Sequence, residues 1–282
     1  MQMVAGAKLR RAQDELVCFR PYAEALALVS QRFLSAHPEL QHPLIVAAHP
    51  ELVEGERLSV RASTGSARTE PPAGLVLITS DTGLCGTYNE KILAASAQFR
   101  TEFPSAVVVA IGKKGTRALA HRGTRPAKEN LSWGGRYDPA EANALLGWFE
   151  QQYLGGKVSS WSVATTRFLS ALSFKPVVER LLPAERNPPS VPGTQLQEKI
   201  IVEPDAATFA DRLLRRRLRA QFARVLLEAF TAEHSARMMA MKNATENADE
   251  MISTLTLVRN KARQATITKE LIEVVSGAEA LR

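Results

Sequence analysis

The stretch Asp205–Ser276, DAATFADRLLRRRLRAQFARVLLEAFTAEHSARMMAMKNATENADEMISTLTLVRNKARQATITKELIEVVS, holds neither glycine nor proline in 72 residues. One helix of that length reaches about 108 Å, whereas a compact chain of 282 residues has a radius of gyration of about 19 Å. A continuous helix here must project from any globule it belongs to. Its apolar residues Met241, Ala244, Ala248, Met251, Leu255, Val258, Ala262 and Ala265 are spaced alternately three and four apart, the heptad seam of a coiled coil with small residues that admit a close partner. Beyond Ala265 the seam shifts to Ile267, Leu271, Val274, Ala278 and Leu281, a change that alters the local supercoil.

A matching pattern lies at the other end of the chain. Ala5, Leu9, Ala12, Leu16, Phe19, Ala23 and Leu26 step by four and three, and Pro21 inside this run predicts a kink. Two terminal heptad segments around a central region predict a long antiparallel intrachain coiled coil, although two separate amphipathic helices on one globule would have the same spacing. In the coiled-coil reading, Ala244, Ala248, Ala262 and Ala265 face the N-terminal helix.

The centre reads as a small Rossmann-like α/β domain with a parallel sheet. Leu75–Thr79, Ala106–Ile111 and Trp161–Phe168 are short apolar runs suited to buried strands. Helices are expected over 88–99, 114–121 and 139–153, the last with Asp138 as N-cap and Pro139 at its first position. Alternating strands and helices imply a parallel sheet covered on both faces. The expected organisation is an N-terminal coiled-coil helix over 1–36, a linker over 37–74, the α/β domain over 75–192 and a C-terminal coiled-coil helix over 193–282. Within the linker, 49–70 has no helical or strand period and reads as an inserted, dispensable surface loop. Four prolines in Pro183–Pro192 mark a second exposed loop.

Composition narrows the function. The chain is 45% hydrophobic and 23% charged, which excludes wholesale disorder. Its formal net charge of +7 favours anionic partners. Two cysteines, Cys18 and Cys85, exclude a disulfide-dense scaffold and a four-cysteine zinc site. No apolar run approaches the ~20 residues of a membrane span, and no signal peptide opens the chain, so the reading is a soluble intracellular protein without direct membrane insertion.

Catalytic signals are weak. Gly112-Lys113-Lys114-Gly115-Thr116 follows a strand and opens a helix, but lacks the spacing of a phosphate loop. Cys85 could serve as a thiol nucleophile in an α/β enzyme, yet no histidine lies near it in sequence. Asp81 suits a turn cap as well as a metal or ribose ligand. His37, His42, His49, His121 and His234 have no metal-ligand spacing. Arg212, Arg215, Arg216, Arg217 and Arg219 could contact nucleic acid in a coiled-coil binding protein, but no aromatic platform is interleaved with them.

The run Glu233-His234-Ser235-Ala236-Arg237-Met238-Met239-Ala240-Met241-Lys242-Asn243-Ala244-Thr245-Glu246-Asn247-Ala248 closely resembles the C-terminal signature of the gamma-subunit family of F-type ATP synthases, in its bacterial form. So does the stretch from Asn260 to Ala278. Thr79-Ser80-Asp81-Thr82-Gly83-Leu84-Cys85-Gly86 is similar to the family's Ser-Asp-x-Gly-Leu-Cys-Gly motif, and Met1 to Arg11 is similar to the middle of its N-terminal helix. Thr87-Tyr88 and Glu90 depart from what usually follows that motif.

The resemblance implies a non-catalytic rotor subunit without cofactor or metal. Its terminal helices would lie inside the hexamer of alpha and beta subunits. Its α/β foot, with Asp81, Gly83, Leu84, Cys85 and Gly86, would meet the epsilon subunit and the membrane c-ring. The location implied is peripheral, on the cytoplasmic face of the bacterial inner membrane, with no nucleic-acid partner. By match to the family, Arg237, Gln264, Thr268 and Glu270 are expected to contact the beta subunits. The family also carries about three heptads of basic helix ahead of the residue matching Met1. The far end of the C-terminal helix, Ile267 to Leu281, is therefore expected to lack an intrachain partner.

Overall fold

A computed structural model describes residues 2–45, 71–131, 133–171, 173–186, 202–203 and 205–280. The predicted insertion at 49–70, much of the proline-rich loop and Leu281 lie outside the described residues. The chain runs α1 (Gln2–Ala36), β1 (Ala73–Ile78), α2 (Tyr88–Glu102), β2 (Val107–Ile111), α3 (Lys113–His121), β3 (Lys128–Asn130), α4 (Pro139–Leu154), β4 (Ser160–Ser170), β5 (Ser173–Leu182) and α5 (Ala206–Glu279).

The five strands form one sheet in the order β3-β2-β1-β4-β5. β1, β2, β3 and β4 are parallel, as the expected parallel sheet requires, and β5 adds an antiparallel edge strand beside β4. β5 and the three-residue β3 are absent from the sequence reading. β5 mostly alternates exposed and half-buried positions, is buried only at Leu181 and Leu182, and carries Pro176. Proline is tolerated on such an edge strand because one face of its ladder is unpaired.

The period-two alternation of the inner strands sends side chains into two cores. Val76, Ile78, Val109, Ile111 and Val163 pack with residues of α1, α4 and the first half of α5. Leu75, Leu77, Val108, Ala110 and Ala164 pack under α2 and α3. Trp161 is fully buried in the first core, and its ring lies where a Cβ on Gly74 would stand, so β1 needs glycine at that position. Asp138 caps α4 by accepting hydrogen bonds from Ala140 and Glu141 N–H, with Pro139 at the first helical position. Asp205 caps α5 in the same way through Thr208 N–H.

α1 continues through Pro21 and packs antiparallel on α5. Phe33 and Phe209 rings lie 5.0 Å apart, Thr231 Oγ1 donates to the Ala12 carbonyl at 3.3 Å, and Gly6 lies beside Met238. Ala5, Leu9 and Leu16 are buried in this pairing and Ala12 is half-buried. Their partners are the first half of α5, which shifts the expected seam. Because Gly6 already meets Met238, α1 never reaches the heptads beyond Met241. Ala244, Ala248, Ala262 and Ala265 are exposed, as are Met251, Leu255 and Val258, while Met241 is half-buried. The reading that these alanines face α1 is therefore corrected. The unpartnered end expected from Ile267 in fact begins at Lys242.

Candidate functional site

From Lys242 to Glu279 every residue is exposed except the half-buried Thr256. This projecting segment is about 57 Å long. Helical residues turn about 100° each, which puts Met251, Leu255 and Val258 on one side and Ile267, Leu271 and Val274 on the opposite side. Leu257, Ile272 and Val275 fall between them. Each of these nine side chains is 45–70% exposed. A surface helix confines its apolar residues to one stripe, whereas a helix apolar on opposing sides is one that becomes enclosed.

Of the four expected contact residues, Gln264, Thr268 and Glu270 lie on this segment and are exposed. Thr268 Oγ1 donates back to the Gln264 carbonyl at 2.8 Å. Arg237 is separate, about 40 Å nearer the sheet, and is committed within the chain. Its Nη2 donates to Glu233 Oε1 at 2.8 Å and to Thr82 Oγ1 at 2.9 Å, and its Nε donates to the Gly83 carbonyl at 3.3 Å. The guanidinium thus clamps α5 to the loop that follows β1.

That loop carries the Asp81–Gly86 motif. Asp81 accepts from Lys113 N–H at 3.1 Å and from Gly134 N–H at 2.7 Å, tying three loops together. The N-terminus of α3, where a phosphate-loop reading would place an anion, is occupied by the chain's own carboxylate. The neighbouring Gly112 has φ +97°, and a Cβ there would stand 2.1 Å from the Thr79 carbonyl oxygen, so glycine is required. Cys85 is buried, with its sulfur accepting from Asn89 Nδ2 at 3.2 Å, which makes it a structural thiol. Leu84 stands at φ 63° and is 61% exposed. Among the described residues no group of three or more His, Cys, Asp or Glu is placed to hold a metal. The arginine run is divided: Arg212, Arg216 and Arg219 are exposed, Arg215 pairs with Asp211 and Glu150, and Arg217 is buried.

The clamp has a buried polar heart. Glu233 lies within α5 at 2% exposure. Burial pushes its carboxyl pKa up, against the downward pull of Arg237 and a smaller one from Lys8 of α1. His234 is pushed down, first by burial and then by the charges of Arg237 and Lys8. One ring nitrogen faces the Gly135 carbonyl, which only accepts, and the other faces Arg237 Nη1, which only donates. The ring is therefore neutral, with its proton on Nε2. Sequence reasoning had given His234 no role; no spacing rule marks a histidine whose partners come from a distant loop.

A pH dependence follows. The folded His234 pKa lies below the ordinary 6.5, so as pH falls through 6.5 the unfolded chain protonates first. His234's contribution is complete above pH 6.5 and is lost as pH falls from there to the folded value, at up to about 1.4 kcal/mol per pH unit. Glu233 acts oppositely, because its folded pKa is raised: lowering the pH relieves the cost of its burial. The urea midpoint at pH 7.5 minus that at pH 5.5 is expected to be smaller, or more negative, in His234→Gln than in the parent chain, because only the opposing Glu233 contribution remains; an unchanged signed difference would contradict the neutral-ring assignment.

A sequence profile of the family described as ATP synthase matches residues 1–281. The ATP synthase gamma chain of Anaeromyxobacter sp. (strain Fw109-5) is 38% identical over 286 residues, spanning 100% of this chain and 92% of its own length. The chain belongs to the ATP synthase gamma-chain family. The gamma chain of Symbiobacterium thermophilum is 35% identical, with 100% and 91% coverage. The fold agrees with solved central stalks. The Tetrahymena thermophila mitochondrial ATP synthase central stalk and c-ring assembly contains a chain with TM-score 0.58 at 19% identity, covering 87% of this chain and 97% of that one. A chain of the Euglena gracilis mitochondrial OSCP/F1/c-ring assembly gives TM-score 0.55 at 16% identity, with 98% and 95% coverage. Gamma chains are the central-stalk rotor subunit of ATP synthase and are not themselves catalytic.

Proposed function

We propose that Lys242–Glu279 of α5 is the rotor shaft, surrounded on all sides by the alpha and beta subunits of a catalytic hexamer. The α/β unit is then the foot that meets the c-ring and an epsilon subunit at the cytoplasmic face of a bacterial inner membrane. One observation carries this reading: the segment has apolar side chains on opposing sides and no packing partner for them among the described residues. Burying one such side chain is worth about 1.5–3 kcal/mol, so a sleeve around the helix gains on every side. Among the described residues no helix is long and apolar enough to cross a membrane, which suits a stalk standing on a membrane ring.

In this reading Gln264, Thr268 and Glu270 offer polar contacts to the beta subunits. Arg237 is a positioning residue that fixes the shaft to the foot so that rotation of one turns the other. The test is a photo-crosslinker placed in turn at Gln264 and Glu270 in the assembled enzyme. Crosslinks to beta subunits are expected from both positions. Crosslinks from neither position would overturn the shaft assignment.

A further inference from the structure

A groove of about 690 Å³ opens between the C-terminal part of α1 and the first turns of α5. Leu26, Val29, Phe209 and Leu213 give it an apolar lining, and four arginines line it against one carboxylate, Asp211. Asp211 and Arg215 are committed within the chain. They pair with each other, Arg215 also pairs with Glu150, and Asp211 faces His42 at 3.4 Å.

The other three arginines are not committed. Arg212, Arg216 and Arg219 are exposed and make no ion pair among the described residues. Steps of four and three put them on one side of α5, one per turn over about 10 Å. Like charges at that spacing repel one another, so the free chain holds an unneutralised row of positive charge beside an apolar recess. Val29 in that recess is 47% exposed. Arg212 stands about 45 Å along α5 from Lys242, so the groove lies outside the segment assigned to the hexamer.

We propose that this groove docks an acidic amphipathic helix of a partner protein. Its apolar side chains enter the recess between α1 and α5, and carboxylates one turn apart along its edge meet Arg212, Arg216 and Arg219. An apolar trough between two helices, flanked by charge at helical spacing, suits helix-in-groove recognition. A lipid surface would meet the arginines but not fill a recess between two helices. A nucleic-acid strand would need exposed stacking platforms, whereas the one aromatic of the lining, Phe209, is half-buried with its ring against Phe33.

Fluorescence anisotropy with the purified full-length chain tests this. The probe is a labelled synthetic helix of about 18 residues, five turns, with leucines along one face and glutamates beside them. A second probe has every glutamate replaced by glutamine. Saturable binding of the acidic helix is expected, at least about tenfold tighter than that of the neutral one. Replacing Arg212, Arg216 and Arg219 together with Gln is expected to remove that difference. Val29→Lys adds positive charge but spoils the apolar lining, and is expected to weaken binding about tenfold; attraction by charge alone would leave it unchanged or tighter. Replacing Arg259, Lys261 and Arg263 with Gln, exposed residues of the projecting segment, removes the same charge and is expected to leave binding as in the parent. Absence of saturable binding, binding not weakened by Val29→Lys, or equal weakening by the two triple variants would overturn the proposal. So would tighter binding of duplex DNA or of phosphatidylglycerol vesicles that is lost in the Arg212, Arg216 and Arg219 variant.

Discussion

Replacing Arg237 with Met is expected to destabilise the isolated chain by about 3–5 kcal/mol, because it leaves Glu233 as a buried charge without its partner. Glu233 is 2% exposed, and its ion pair with Arg237 at 2.8 Å is the one its side chain makes among the described residues. The same substitution frees the Thr82 and Gly83 loop from α5. Since domains are stable by only about 5–15 kcal/mol, the variant should unfold at a much lower urea concentration. Arg237→Lys should recover part of the loss, since an ammonium keeps the charge but cannot span Glu233, Thr82 and the Gly83 carbonyl as the planar guanidinium does. Adding Glu233→Gln to Arg237→Met should also recover much of it, because the unpaired charge is then gone. An Arg237→Met chain within about 0.5 kcal/mol of the parent would show that the clamp contributes nothing to joining helix and foot.

The second large effect separates folding from function. Leu255 and Val258 are 59% and 58% exposed in the chain alone. Changing both to Asp is expected to leave the foot's unfolding midpoint within about 0.5 kcal/mol. In the assembled enzyme the same carboxylates would have to leave water, at several kcal/mol per ion. ATP-driven proton pumping in vesicles should therefore fall more than about tenfold, either through failed assembly or through a shaft that no longer seats. Normal pumping by this variant would mean that this part of α5 turns in water and meets nothing apolar.

Much of this was legible in the sequence, and the reasons are local. The uninterrupted run after Asp205, the cap Asp138, and the short apolar runs of β1 and β2 each carry their own signal within a few residues. What could not be read there was set by long-range geometry. The register between α1 and α5 is fixed by contacts such as Thr231 with Ala12 and Phe33 with Phe209, and the heptad period fits several registers one heptad apart. The period therefore identified both helices but paired Ala5–Leu16 with the wrong stretch of α5. β5 was missed because an edge strand with alternating polarity and an internal proline carries little strand signal. At the clamp, the motif Asp81–Gly86 and Arg237 were each singled out by resemblance, but their meeting across α5 and the β1 loop is a tertiary fact. Arg237 was singled out by resemblance as a contact to the beta subunits; the hydrogen bonds it makes to Glu233 and Thr82 within its own chain, which join helix and foot, carried no signal in the sequence.

The central claim is that the exposed half of α5 becomes enclosed on opposing sides when the enzyme assembles. Leu255 and Leu271, which lie on opposite sides of the helix and are 59% and 61% exposed in the free chain, can each be replaced with Cys in a Cys18→Ser background, since Cys85 is buried. The measurement is the rate of maleimide labelling at each position, in the isolated chain and in the assembled enzyme. Both sites should label rapidly in the isolated chain and at least about tenfold more slowly after assembly, as expected for side chains moved from water into a packed interface. Labelling that stays equally fast at either position would show a helix left open to solvent on that side, and would contradict the account.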